Sequence, residues 1–175
     1  KQLADELLEK LKKADPTAIL AGGAPRNWNS GMLAKDLDFF MPDRPHLTEG
    51  EMIEWLHSTT GQRWWRLGGE YSDGQQTVYR THVNDIRCDL ILYKGEQRPS
   101  DYVGTFNYSF NHIYYEHGEI TKLSDFDMYE GWGVVLFNTD CDEAPAGKYD
   151  EWLKDKVICT DKTQVFNVIQ GKMNE

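Results

Sequence analysis

Residues 20–26 read Leu-Ala-Gly-Gly-Ala-Pro-Arg, and residues 35–40 read Lys-Asp-Leu-Asp-Phe-Phe. The first segment continues an apolar run from residue 17 and stops at two glycines, which is typical of a buried strand that ends in a glycine turn. One or two helical turns can follow in the range 24–31. Residues 35–41 alternate charged and apolar side chains before Pro42, and this pattern predicts a second strand.

Helix and strand signals surround these two segments. Apolar residues at helical spacing predict an amphipathic helix over 2–14 and a terminal helix over 160–173. Thr48 and Glu51 form a capping box that starts another helix. We expect further strands at 63–67, 77–83, 86–93, 113–116 and 119–123, with hairpin turns at residues 84–85 and 117–118. The sequence therefore predicts one α+β domain over 1–175, with a mixed or antiparallel sheet flanked by helices.

The two aspartates of the second segment point to a metal site. Residues two apart in a strand face the same side, so Asp36 and Asp38 project together. Two carboxylates this close repel each other unless a positive charge lies between them, and Mg²⁺ or Mn²⁺ accepts such hard oxygen ligands. The alternative is that both aspartates lie at a solvated strand end.

Asp89 is a third candidate, because it lies in the middle of an otherwise apolar strand, where a carboxylate is unexpected. If that strand lies beside the strand of Asp36 and Asp38, the three carboxylates can hold two metal ions about 3.5–4 Å apart, as in phosphoryl transfer. The alternative for Asp89 is an ion pair with Arg80 or Arg87 of the same hairpin.

Gly22 and Gly23 predict a phosphate-binding turn. Without side chains, their backbone can approach a phosphate closely, and Arg26 and Lys35 are cations within reach of a triphosphate. The alternatives are an ordinary tight turn for the glycines and a surface position for the two cations.

The bulk composition limits the classes of partner. A formal net charge of -10 and a pI near 4.9 make broad binding to nucleic acid unexpected. The three cysteines, Cys88, Cys141 and Cys159, form no C-x-x-C pair and indicate a reducing compartment. We find no signal peptide and no long apolar run, so we expect a cytoplasmic protein without membrane contact. The tryptophans, among them Trp64 and Trp65, fit a core or a base-stacking surface.

Residues 22–26 and 35–38 resemble the first motif of the DNA polymerase β-type nucleotidyltransferase superfamily. They are most similar to the head domain of class II CCA-adding tRNA nucleotidyltransferases and poly(A) polymerases, in which a G-G-x-x-R-D stretch precedes a K-D-x-D strand. Residues 107–113, Asn-Tyr-Ser-Phe-Asn-His-Ile, are similar to the second motif of that family, D-F-T-I-N-A-L. The resemblance covers residues 17 to 137 and leaves 138–175 as a C-terminal extension.

The resemblance implies a polymerase β-like fold and a role for each matched residue. Asp36, Asp38 and Asp89 would be the catalytic metal triad, and Gly22, Gly23, Arg26, Lys35 and Asn111 would bind the nucleotide. Asn27 and Asn107 depart from the family, which has aspartate at both positions. The helical parts that select CTP or ATP and hold tRNA have no counterpart in this sequence, so CCA addition by this chain alone is not expected.

Two functions follow as expectations. The first is a metal-dependent nucleotidyltransferase that transfers NMP from a nucleoside triphosphate to an RNA 3′ end, a protein or a small molecule. A toxin-like or antibiotic-modifying transferase would differ from it only in the acceptor. The second is a catalytically idle binding or inhibitory module that acts on a partner protein or a nucleotide, which would suit a virus or mobile element.

Overall fold

The computed structural model describes residues 1–68, 76–106, 108–139 and 149–174. The chain divides into two compact units. The first unit contains Lys1–Tyr102 and Tyr114–Thr121, and the second contains Val103–Ile113 and Lys122–Glu175. The predicted α+β class is confirmed, with a mixed, mostly antiparallel sheet and flanking helices. This division does not test whether residues 1–175 form one domain, so that statement stays a prediction.

The first unit is built on a seven-stranded sheet with the strand order β3-β4-β5-β2-β1-β6-β7. Strands β2 and β5 pair in parallel, whereas the other pairings with a described register are antiparallel. The strands are β1 (Ile19–Ala21), β2 (Asp36–Pro42), β3 (Trp65–Arg66), β4 (Gln76–Val83), β5 (Ile86–Tyr93), β6 (Ile113–Glu116) and β7 (Glu119–Lys122).

Apolar residues of β2 and β5 pack with helices on one face of this sheet. The helices in this part of the chain are α1 (Gln2–Lys12), α2 (Gly23–Asn29), α3 (Glu49–Thr60) and α4 (Pro99–Val103). Leu37 and Phe39 of β2 and Leu90 of β5 share one buried cluster with Leu11 of α1 and Leu56 of α3. The opposite face of the same strands carries both charged and apolar side chains.

Both predicted hairpins are confirmed. Asn84 and Asp85 have φ angles of 51° and 66° between β4 and β5, the positive values that a type I′ turn requires. His117 and Gly118, at 52° and 77°, connect β6 and β7 in the same manner. The strand expected at 63–67 is shorter than predicted and contains only Trp65 and Arg66.

The second unit contains elements that the sequence patterns did not indicate. These are a 3₁₀ turn (Ser109–Asn111), α5 (Phe126–Gly131), β8 (Val134–Leu136), α6 (Asp150–Leu153) and β9 (Val157–Cys159), followed by the predicted terminal helix α7 (Lys162–Met173). Strands β8 and β9 pair in parallel. Three-residue strands are too short to show alternation, which is why only the terminal helix, capped by Asp161, could be predicted.

Two further expectations concern the cysteines and membrane contact. Cys88 and Cys159 are buried free thiols, and Cys141 lies outside the described residues. In the described part of the chain, no helix combines the length and the apolar character that crossing a bilayer requires.

The capping box of α3 gives the first testable prediction. The Thr48 hydroxyl accepts from the backbone N–H of Glu51 at 3.1 Å, and the Thr48 backbone N–H donates to the Glu51 carboxylate at 3.0 Å. Thr48→Ala removes the hydroxyl acceptor, so it should lower the free energy of unfolding by about 1 kcal/mol in urea titrations. Glu54→Ala, an exposed change in the same helix, should stay within about 0.5 kcal/mol of wild type. Equal losses in both variants would contradict the cap assignment.

Candidate functional site

The parallel pairing of β2 with β5 puts the three aspartates on adjacent strands. In this register Asp38 lies opposite Asp89, and Asp36 lies opposite Arg87. Strand alternation directs Leu37 and the other core residues to one face, so the charged side chains share the other face. We call this face, defined by Asp36, Asp38, Arg80, Arg87 and Asp89, the charged face.

The charged face has an apolar border. In the register of the sheet the next row consists of Phe40 on β2, Ile91 on β5 and Val78 on β4, all buried. Phe40 also contacts the ring of Tyr102 from α4, with 6.1 Å between the ring centroids. The polar row is therefore bounded on this side by apolar side chains.

Asp89 is held by Arg80 of the neighbouring strand β4. Arg80 lies opposite Asp89 in the antiparallel register, and it donates from Nε to Oδ1 at 2.7 Å and from a terminal nitrogen to Oδ2 at 3.0 Å. The side chains are only 18% and 10% exposed, respectively. This is the ion pair that the sequence left open as the alternative for Asp89.

Asp36 has a different kind of arginine partner. A terminal nitrogen of Arg87 donates to Asp36 Oδ2 at 2.7 Å, and this is the one hydrogen bond described between them. The two side chains are 41% and 42% exposed. The Nε atom of Arg87 is buried, and it has no hydrogen-bond partner among the described residues.

The aspartates meet the requirements of a metal site only in part. Three carboxylates supply the hard oxygen ligands that Mg²⁺ or Mn²⁺ takes, and the register brings Asp38 beside Asp89. However, over residues 1–68, 76–106, 108–139 and 149–174 no group of three or more His, Cys, Asp or Glu is already disposed to hold a metal ion. Coordination of an ion by Asp89 and Asp36 would compete with their pairs to Arg80 and Arg87. The catalytic and metal-binding roles of Asp36, Asp38 and Asp89 stay predictions.

Gly22 and Gly23 form a turn between two opposite charges. Gly22 has a φ of +74°, and a Cβ on it would lie 2.9 Å from Asp38 Oδ2. A Cβ on Gly23 would lie 3.3 Å from a terminal nitrogen of Arg26. The missing side chains therefore let the turn approach both a carboxylate and a guanidinium, and the roles of Gly22, Gly23 and Arg26 toward a phosphate stay predictions.

The other predicted nucleotide-binding residues are distributed over both units. Lys35 is exposed one residue before β2. Asn111 belongs to the second unit, where it is buried and its Nδ2 donates to the Tyr149 hydroxyl at 3.4 Å. Asn27, which replaces an aspartate of the family, donates to the Leu33 carbonyl at 3.2 Å and so fixes the loop after α2. The roles of Lys35 and Asn111 toward a nucleotide stay predictions.

The pKa of the Cys88 thiol is affected by its burial and by the three aspartates. Burial, and then the negative charges of Asp89, Asp38 and Asp36, raise the pKa of its thiol to about 12. The thiol therefore stays protonated and unreactive at neutral pH, in agreement with a core position.

The two neighbouring tryptophans differ in burial, and a base-stacking role stays a prediction. Trp64 is buried, and its Nε1 donates to the Thr60 hydroxyl at 2.9 Å. Trp65 is 43% exposed and lies opposite Arg80 in the register, so it projects on the side of the charged face. Its ring stacks on His82 with 5.5 Å between centroids. The sequence did not single out His82, and only its position two residues from Arg80 indicates this face.

Comparison of the sequence with protein-family models and with curated proteins gives no match. Solved structures do match. A Thermotoga maritima CCA-adding enzyme complexed with tRNA is 9% identical, with a TM-score of 0.56 over 97% of this chain and 42% of that chain. A tRNA-processing enzyme in an apo form is 13% identical, with a TM-score of 0.55 over 78% and 36%. A CCA-adding enzyme in complex with ATP is 12% identical, with a TM-score of 0.54 over 77% and 32%.

The chain therefore has a nucleotidyltransferase-like fold. Within that class it resembles the CCA-adding tRNA nucleotidyltransferases, as the sequence motifs predict, and at these identities the likeness shows the fold alone. The chain spans well under half the length of these structures. The likeness to the Thermotoga maritima structure covers 97% of the chain and thus extends beyond residues 17–137.

Two glycines with the same backbone conformation test the contact between the turn and Asp38. Gly22 and Gly31 have φ angles of +74° and +75°, but a Cβ on Gly22 would meet the Asp38 carboxylate, whereas a Cβ on Gly31 would face open space. Gly31→Ala should cost about 1–2 kcal/mol of unfolding free energy from backbone strain alone. Gly22→Ala should cost more, because its Cβ would also displace the Asp38 carboxylate. Equal losses of unfolding free energy in both variants, measured in urea titrations, would refute this contact.

Proposed function

We propose that this chain is a metal-dependent nucleotidyltransferase that transfers a nucleoside monophosphate from a nucleoside triphosphate to an acceptor hydroxyl. The observation that carries the proposal is the juxtaposition of Asp38 and Asp89 on parallel strands, next to the Gly22 turn, within a nucleotidyltransferase-like fold. The structures with this fold include complexes with ATP and with CTP, which supports a triphosphate as the substrate. We place the reaction in the cytoplasm.

The proposed chemistry is an in-line displacement at the α-phosphorus. The acceptor oxygen forms a bond to the α-phosphorus, the bond to the bridging oxygen breaks, and pyrophosphate leaves with that electron pair. The hydroxyl proton passes to a base, for which the carboxylates of the charged face are candidates. Asp36, Asp38 and Asp89 would hold two Mg²⁺ or Mn²⁺ ions, which neutralise charge on the phosphates when bound. The turn at Gly22 and Gly23, with Arg26, would receive the triphosphate.

The acceptor is an RNA 3′ end, a protein or a small molecule. An acidic chain with a formal net charge of -10 does not hold a long nucleic acid through a broad basic surface. An RNA acceptor would therefore contact the site through its end only.

A second function is favoured by the two arginine pairs. Arg80 engages both oxygens of Asp89, and Arg87 engages Asp36, so the charged face is neutralised in large part by the protein itself. Such neutralisation suits a catalytically idle module, whose binding of a nucleotide or a partner protein would not depend on these carboxylates. In that case Asp36→Ala and Asp38→Ala together would leave the biological activity unchanged.

Aspartate substitutions separate the two functions. The full chain is incubated with each labelled nucleoside triphosphate, Mg²⁺ or Mn²⁺ and a cell extract, and the labelled acceptor is then located. Asp89→Ala should retain binding of the triphosphate but lose transfer by at least about 100-fold, since it removes a carboxylate that acts on the reacting atoms.

Asp85→Asn is the matched control. Asp85 lies on the adjoining hairpin turn, is exposed, and has a φ of 66° that asparagine also tolerates. This variant should transfer at the wild-type rate. Normal transfer by Asp89→Ala, or no labelled acceptor with any triphosphate in wild type, would rule out the enzymatic proposal.

A further inference from the structure

We propose that Arg87 is a phosphate-binding residue of the charged face, and that its guanidinium exchanges Asp36 for a phosphate of the incoming triphosphate. This inference rests on the proposed function, because it names a group that holds the substrate of that site. It assigns to Arg87 a role that neither the motifs nor the fold assigns.

The two arginines of the charged face differ in the number of hydrogen bonds to their aspartate and in their exposure to water. Arg80 makes the two-point contact with Asp89 that is typical of a strong arginine–carboxylate pair, and both side chains are shielded from water. Arg87 makes one described contact with Asp36, and both side chains are about two-fifths exposed, at 41% and 42%. A single, hydrated contact of this kind contributes about 0–1 kcal/mol, so it can be replaced at low cost.

The Nε atom of Arg87 supplies the second observation. It is buried without a hydrogen-bond partner among the described residues, and leaving a buried donor unsatisfied costs about 1–3 kcal/mol, more when the group is charged. A phosphate has enough acceptor oxygens to bind Nε and a terminal nitrogen at once. The exchange would therefore replace the one hydrogen bond of Arg87 to Asp36 by two hydrogen bonds to a phosphate, and one of them would come from Nε.

The position of Arg87 fits a triphosphate that reaches the aspartates. Arg87 lies two residues before Asp89 on β5 and opposite Asp36 on β2, so it flanks the carboxylates on the same face. When its guanidinium moves to a phosphate, the Asp36 carboxylate is released. Triphosphate binding and the availability of Asp36 for a cation are then coupled events.

The exchange can be tested without metal and without catalysis. Binding of inorganic tripolyphosphate to the full chain is measured by calorimetry in EDTA for wild type, Asp36→Asn, Arg87→Gln and the double variant. Asp36→Asn should bind about two- to fivefold more tightly than wild type, because the neutral amide competes for Arg87 less strongly than the carboxylate does. In the Arg87→Gln background the same Asp36→Asn change should give a clearly smaller gain.

These four proteins form a double-mutant cycle, which distinguishes the release of Arg87 from Asp36 from a general reduction of negative charge at the site. Reduced charge repulsion alone would give the same gain in both backgrounds, and that outcome would overturn the proposal. The absence of a gain in Asp36→Asn would overturn it as well. A gain in Asp36→Asn cannot come from a variant that fails to fold, and the Arg87→Gln variants enter the comparison only with the wild-type circular dichroism spectrum.

Nucleoside triphosphate binding with Mg²⁺ gives the second measurement. Arg87→Gln should weaken it by about 10- to 100-fold and reduce the preference for triphosphate over monophosphate, whereas Arg87→Lys should recover part of the affinity. Arg98→Gln is the control, since Arg98 carries the same charge in an exposed pair with Asp101, with side chains 72% and 59% exposed. An Arg87→Gln effect no larger than that of Arg98→Gln would refute the role of Arg87. Failure of wild type to bind any nucleoside triphosphate would instead refute the proposed function, and the tripolyphosphate cycle would still decide whether Arg87 takes a phosphate.

Discussion

The parallel pairing of β2 with β5 is the constraint on which the rest of this structure depends. The other pairings with a described register in the seven-stranded sheet are antiparallel, and this one pair brings the aspartates of two distant segments side by side. A shift of one residue would set Cys88 opposite Asp38 and turn Asp89 toward the core. The buried positions of Leu37 and Leu90 prevent that shift, so the packing of the core fixes the chemistry of the opposite face.

The segments that define the fold were predictable because they carry strong local signals. The glycine turn, the Asn84-Asp85 hairpin and the Thr48 capping box each have a short-range physical cause, and each lies where the pattern predicts. The small elements on either side of the β6–β7 hairpin, between residues 99 and 159, have no such signal. Strands β8 and β9 have three residues each and become recognisable only through their parallel partner.

The candidate site was predictable in its residue types but not in its pairings. Alternation alone puts Asp36 and Asp38 on one face, and an acid within an apolar strand singles out Asp89. The register of β4 against β5, which selects Arg80 rather than Arg87 as the partner of Asp89, depends on contacts across the sheet. Likewise, the division of the tryptophans into a buried Trp64 and an exposed Trp65 requires knowing which face the core covers.

Electrostatic balance connects the fold to both candidate functions. Three carboxylates on adjacent strands would repel one another in a sheet without countercharge, and the two arginines supply that charge inside the folded chain. The two ion pairs differ in exposure and in the number of hydrogen bonds, so they differ in the free energy needed to open them. The shielded two-point pair of Arg80 and Asp89 is costly to open, whereas the hydrated one-point pair of Arg87 and Asp36 is not. An arriving triphosphate would therefore act first on Arg87, and whether Asp89 then leaves Arg80 decides between a transferase and an idle binding module.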